Sequence, residues 1–217
     1  MFAWNTTAFK TADRVARRPQ PELALSQVAH GIVAGTNVAT PIGWRPVESV
    51  VAGDQVLTFD GGMQTVVAAE RLTVFPETHG ESYEDWPLHV PAGALGNRED
   101  MVILAQQSIM LESDAAEAIY GDPFALVPAA ALEDFRGIKR VEPEGIIEVV
   151  RLRFAKDEIV FCNVGGLFHC PATSDILGRI FGETVAPEYQ VLPMAEAELI
   201  VACLENVRVD RRVCARH

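Results

Sequence analysis

The chain has 217 residues, 49% of them hydrophobic and 22% charged, with a formal net charge of -12 and a pI near 4.8. That size and balance describe a globule able to bury roughly 70% of its unfolded surface, with no need of disulfide staples. The acidic surplus argues against a duplex-binding surface, which needs clustered Lys and Arg to displace counterions; it names no partner.

Along the chain, residues 1–29 read as a leader, in which Pro19 and Pro21 interrupt any helix. Lys10, Arg14, Arg17 and Arg18 read as a solvated face rather than a nucleic-acid patch. Glu22 to Ala29 is mildly apolar, suited to the domain surface. There is no apolar run followed by a small-residue cleavage site, so no secretory signal is expected. There is also no 18-residue apolar span, so no transmembrane helix is expected. A cytoplasmic location follows as the expectation, with Cys162, Cys170, Cys203 and Cys214 as free thiols in a reducing compartment.

From Ile32 the pattern is that of short strands. Ile32–Val33 and Asn37–Thr40 flank a turn at Gly35, and Pro41 to Gly43 turns the chain into Trp44–Val47. Gln55–Phe59 alternates as a strand that Asp60-Gly61-Gly62 closes as a hairpin. Met63–Ala69 and Arg71–Phe75 continue the meander. Pro76–Pro91 is polar and reads as a loop or insertion. Asp100–Leu111 reads as two short strands or one bent one. Ser113–Tyr120 predicts a short helix, capped by Ser113 or Asp114 and ended by Gly121. Ala125–Leu132 predicts a strand and one helical turn, and Gly145–Phe154 with Glu158–Val164 predicts a hairpin around Ala155-Lys156-Asp157. Met194–Val207 has helical spacing, with Leu199, Ile200, Cys203 and Leu204 against Glu196, Glu198 and Glu205. Closely spaced strands with few helical segments indicate an all-β domain over residues 30–175 and a C-terminal extension, with a small helix, over 176–217.

The stretch Gly35 to Gly62, of form GTxVxTPxGWRPVExVxxGDxVLTxDGG, resembles the opening of a Hint domain, the self-processing module of hedgehog proteins and inteins. The bacterial Hint-type subgroup is matched further by Ala92-Gly93-Ala94-Leu95-Gly96-Asn97, by Leu126-Val127-Pro128-Ala129 with Leu132, by Gly137-Ile138, and by a late strand over Asp157–Asn163. The resemblance implies a compact Hint-like β-fold and, as family chemistry, autoproteolysis or splicing. That reaction moves the upstream acyl group from nitrogen to a cysteine sulfur. It needs a thiolate, a proton donor for the departing amine and groups that polarise the carbonyl.

Placed on this chain residue by residue, those roles fall on groups unsuited to them. The nucleophile's position, four residues before Gly35-Thr36, holds Gly31. The family's histidine and its helper three residues earlier fall on Gln107 and Leu104, and the late-strand histidine falls on Asp157. Glutamine does not titrate near neutral pH, and leucine donates nothing. The implied protein is a degenerate, non-self-cleaving member with no catalytic residues, whose relict positions are Gly31, Thr36, Leu104, Gln107 and Asp157. It would act as a binding or scaffold module for an unidentified peptide or protein, without nucleic acid, membrane, cofactor or metal. The alternative is residual self-cleavage near Gly31 with a non-standard nucleophile, Thr36 or Cys170.

Lesser candidates complete the reading. His30 sits either over the relict site or in an exposed loop, and Gln106 and Gln107 either hold a peptide backbone or satisfy local amides. Cys162, His169 and Cys170 pose as metal ligands or as an activated thiol, but adjacent His-Cys is poor geometry for one tetrahedral site, and Cys162 reads as a buried thiol. His79 with His89 would make a metal pair only if the polar loop folded back. Glu81, Glu84 and Asp85 read as solvated carboxylates.

Overall fold

The computed structural model describes residues 23–76, 82–172 and 189–214, with 206–214 as helix backbone alone. The basic residues of the leader, His79 and Glu81 lie outside these. Fourteen strands run in chain order: β1 Ile32–Val33, β2 Asn37–Thr40, β3 Gly43–Pro46, β4 Gln55–Thr58, β5 Gly62–Thr65, β6 Ala68–Val74, β7 Leu88–Val90, β8 Met101–Ile103, β9 Ser108–Glu112, β10 Phe124–Pro128, β11 Lys139–Arg140, β12 Ile147–Arg153, β13 Glu158–Cys162 and β14 Gly166–Cys170. Two α-helices accompany them among the described residues, α1 Asp114–Tyr120 and α2 Met194–Cys214. The fold is all-β.

The strands form three sheets. The largest runs β10-β9-β14-β13-β2-β3, with β4 joined to β13 and β5 to β4. A second has order β1-β12-β6, and a third β11-β7-β8. The β2–β3 and β4–β5 hairpins form where the turn residues require them, pairing Thr40 with Gly43 and Thr58 with Gly62. Ser113 caps α1, its Oγ accepting from the Ala116 amide, and Gly121 ends the helix in the left-handed conformation at φ 78°. Ala125–Leu132 resolves into β10 and one 3-10 turn over Ala129–Leu132, as its pattern suggests.

Four expectations are corrected. Gly145–Phe154 and Glu158–Val164 are not partners: β12 pairs with β6 over its full length and with β1, while β13 pairs with β14. A longer ladder to β6 outweighs the local hairpin, and β14 itself lies in a segment read for its cysteines rather than its alternation. Met63–Ala69 and Arg71–Phe75 do not divide where expected, because β6 runs unbroken across Glu70. The loop after Pro76 carries order: Leu88–Val90 pairs with Met101–Ile103 and fills the core with Leu88 and Val90. Leu23–Val28 is not a surface strip. Leu25 and Val28 are buried with Val74, Leu104 and Val149, and the Phe75 amide donates to the Leu23 carbonyl.

One main core joins all three sheets. Phe135, Phe168, Ile103, Leu132 and Val160 lie in it, and Ala197 and Val201 of α2 close one side. Ile200 is fully buried against Ala116 of α1, whereas Leu199, expected on the inner face, is 54% exposed. The domain's tightest backbone approach lies between Gly165, in the β13–β14 turn, and Gly96: a Cβ on Gly165 would stand 2.5 Å from the Gly96 carbonyl oxygen.

Candidate functional site

Three of the five expected positions, Gly31, Leu104 and Gln107, meet at the entry to β1. Pairing of Ile32 with Val150 and Val33 with Val149 brings Gly31 alongside β12. Gly31 has φ 143°, and a Cβ built on it would lie 2.4 Å from Val149 Cγ1 and 3.3 Å from Arg151 Cγ. The space that any side chain at position 31 would occupy is therefore filled by a core valine. Because Val149 packs on Leu25, Val28, Val74 and Leu104, it has little room to retreat.

Gln107 is 1% exposed and spends its amide inside the fold. Its Oε1 accepts from the Gly31 amide at 2.8 Å, and its Nε2 donates to the carbonyls of Ser108 and His169, each at 2.9 Å. Both amide hydrogens are thereby used. One side chain ties the start of β1 to β9 and β14, and it has no hydrogen left for a bound peptide. Leu104 lies 2% exposed in the small core beneath, and its carbonyl accepts from the Gln107 amide at 3.0 Å. Gln106 is exposed on the outside of the same turn.

Asp157 is in reach of this group but not joined to Gly31. Its Oδ1 accepts from the Ala172 amide at 2.7 Å, and its Oδ2 lies 3.9 Å from His169 Nε2. Thr36 stands apart, buried in the β1–β2 turn; its amide donates to Val33 and its carbonyl accepts from Val47. This is the position of a turn residue.

His30 is not the exposed loop histidine of the bland reading. It is half-buried, Arg151 Nε donates to its carbonyl at 3.1 Å, and its buried Nε2 has no hydrogen-bond partner. Burial first, then the nearby Arg151, Arg153 and His169, lower its pKa to about 4. Burial likewise lowers that of His169, against a smaller opposing effect of Asp157. Burial thus holds both imidazoles neutral at pH 7.

The cysteine candidates dissolve. Cys162 is fully buried and desolvation holds its thiol well above the usual range. Cys170 is pushed up to about 12, again by burial first, and it alternates with His169 across β14, so the imidazole faces away from it. A thiol so placed is inert. Cys162 pairs with Gly166 at one end of the hairpin, while Cys170 pairs with Glu158 at the other. His89 Nε2 lies 3.3 Å from Asp100 Oδ2 in a surface ion-pair geometry. Among the described residues, no three His, Cys, Asp or Glu side chains gather to hold a metal ion. Glu84 and Asp85 are exposed or half-exposed beside Tyr83, and the Glu84 carbonyl accepts from Arg140.

Sequence reading passed over Arg153, whose residue is 6% exposed. Arg153 lies two residues past Arg151 on the same face of β12, so alternation alone marks it as an ordinary polar-face residue.

The Hint domain profile matches residues 31–165, more than half of the chain, and it begins on Gly31. The chain belongs to the Hint domain family. No curated protein matches it. Among solved structures, this Hint domain is similar to a splice-inactive, glutathione-linked variant of the AceL NrdHF class 3 split intein, at 16% identity and TM-score 0.39, covering 66% of this chain and 99% of that one. It is also similar to a bacterial intein-like domain from Clostridium thermocellum, at 17% identity and TM-score 0.41, covering 64% and 98%. The MchDnaB-1 intein follows at 18% identity and TM-score 0.36, covering 62% and 98%. No chemistry carries over from these likenesses. No helix among the described residues is long and apolar enough to cross a membrane.

Proposed function

We propose that this Hint domain has kept the fold and lost self-cleavage, and that it serves as a binding or scaffold module for a peptide or protein. One observation carries the reading: the nucleophile's position holds a glycine whose Cβ volume belongs to Val149. Leu104 in the helper's position is core, and Gln107 in the histidine's position is a structural tie that does not titrate. Without a thiolate there is no acyl shift, and without a titrating acid at that place the amine has no proton source there. The same reading takes residues 1–29 as a retained leader, 30–175 as the Hint domain and 176–217 as an extension, in a bacterial cytoplasm that keeps the thiols reduced. The test is intact mass followed for days, with and without added thiol. An unchanged full-length mass is expected, and a break at His30–Gly31 overturns the reading.

A further inference from the structure

Beside the Gly31–Gln107 tie lies a second set of buried polar atoms that the chain leaves unspent. Arg153 projects from β12 with its side chain only 7% exposed. Its Nη1 reaches the Pro171 carbonyl at 3.3 Å, its Nη2 stands 3.8 Å from the Glu70 carboxylate, and its Nε is buried with no hydrogen-bond partner. The Nε2 atoms of His30 and His169 are likewise buried and unpartnered. The His169 side chain is 11% exposed, and its 3.9 Å separation from Asp157 is too long for a hydrogen bond. The three residues share one neighbourhood: Gln107 joins the Gly31 amide, next to His30, to the His169 carbonyl, Arg151 Nε, two residues before Arg153 in β12, donates to the His30 carbonyl, and Arg153 Nη1 grips the backbone at Pro171, two residues past His169. Buried guanidinium groups normally meet a carboxylate in close, often two-pronged contact, and buried ring nitrogens normally find a partner.

We propose that this cluster is a binding site for a carboxylate, held by Arg153 Nε and by the Nε2–H groups of His30 and His169. The inference rests on the reading that the domain binds rather than cleaves, and it names the ligand class. Charge selects that class. Arg151 and Arg153 disfavour a cation, while Asp157 and Glu70 stand close enough to disfavour a dianion such as phosphate. The histidines, neutral at pH 7, supply directed donors without adding charge. The carboxylate has two sources, a small free acid or the C-terminus of a peptide.

The experiment uses the full chain and the imidazole proton resonances of His30 and His169. Sodium acetate is titrated against sodium chloride at matched ionic strength, beside a short peptide carrying a free C-terminus and the same peptide amidated. Saturable shifts in both imidazoles with acetate or the free-acid peptide are expected, with an upward move of the His30 titration, because a bound anion favours the protonated ring. Tighter binding of the peptide than of acetate, by tenfold or more, assigns the site to a chain terminus; equal binding assigns it to free acids. Arg153→Gln is expected to weaken the response at least tenfold. If that variant does not fold, His169→Phe, expected to abolish the His30 shift, replaces it. Resonances that follow acetate and chloride alike, or that follow the amide as strongly as the acid, overturn the inference. Intact mass separately decides the non-cleaving reading, so the two fail independently.

Discussion

Two neighbouring halves of one site treat their polar atoms in opposite ways. On the Gly31 side, Gln107 is buried and closes hydrogen bonds to Gly31, Ser108 and His169, while Val149 fills the remaining space. In the other half, Arg153, His30 and His169 each hold a buried nitrogen without a partner. A satisfied buried amide makes structure, whereas an unsatisfied buried donor is destabilising unless something else completes it. The first half therefore belongs to the fold, and the second is where the proposed carboxylate would complete the hydrogen bonds.

The strongest way to break this contrast is Gln107→Ala, which leaves the Gly31 amide and the Ser108 and His169 carbonyls without their side-chain partner. At about 1–3 kcal/mol for each buried group left unsatisfied, a loss of roughly 3 kcal/mol or more is expected in denaturant unfolding. A loss below about 1 kcal/mol would mean that water replaces the amide freely and the first half is not structural.

Next in size is Gly31→Cys. The added Cβ meets Val149 Cγ1 and the backbone sits at φ 143°, so about 2–4 kcal/mol of destabilisation is expected from overpacking and backbone strain together. Adding Val149→Ala relieves the clash and leaves the strain. Neither variant should cleave, as read by intact mass, because Gln107 and Leu104 supply neither acid nor helper; cleavage in the double variant would show that the thiol alone was lacking.

A smaller effect follows from His30. Its folded pKa is about 4 against an ordinary 6.5, so the unfolded chain binds the proton first as pH falls. Stability from this group is complete above pH 6.5 and declines as pH drops from there towards 4, where the slope ends. His30→Gln should flatten that limb in urea midpoints measured across the range. An unchanged limb would show that His30 is neutral for reasons other than burial beside the arginines. The slightest effect is chemical rather than energetic. At pH 8, iodoacetamide should leave Cys162 and Cys170 unmodified in the native chain and reach the half-exposed Cys203, as peptide mass mapping would show.

Local patterns made part of this protein legible. The hairpin at Asp60–Gly62 follows from turn chemistry that only a few residues satisfy, and the α1 caps at Ser113 and Gly121 follow likewise. Gly31, Leu104 and Gln107 were placed by motif order, and their incompetence for acyl transfer follows from the side chains alone. The partners of β12 were not legible, because a seven-residue ladder to β6 competes with a local hairpin and the outcome depends on distant chain. Arg153 was missed for a related reason: a strand's alternation reports which face a residue takes, not what waits on that face.

What the sequence by itself determined is the family and the all-β class, since each depends on residue type at a fixed spacing. Tertiary structure alone decided that Val149 occupies the volume a side chain at position 31 would need, that Gln107 has no hydrogen to offer, and that Gln107 ties the chain beside His30 to His169. These are statements about distance between segments far apart in the chain. Packing three sheets around one core fixes such distances, and no local preference encodes them.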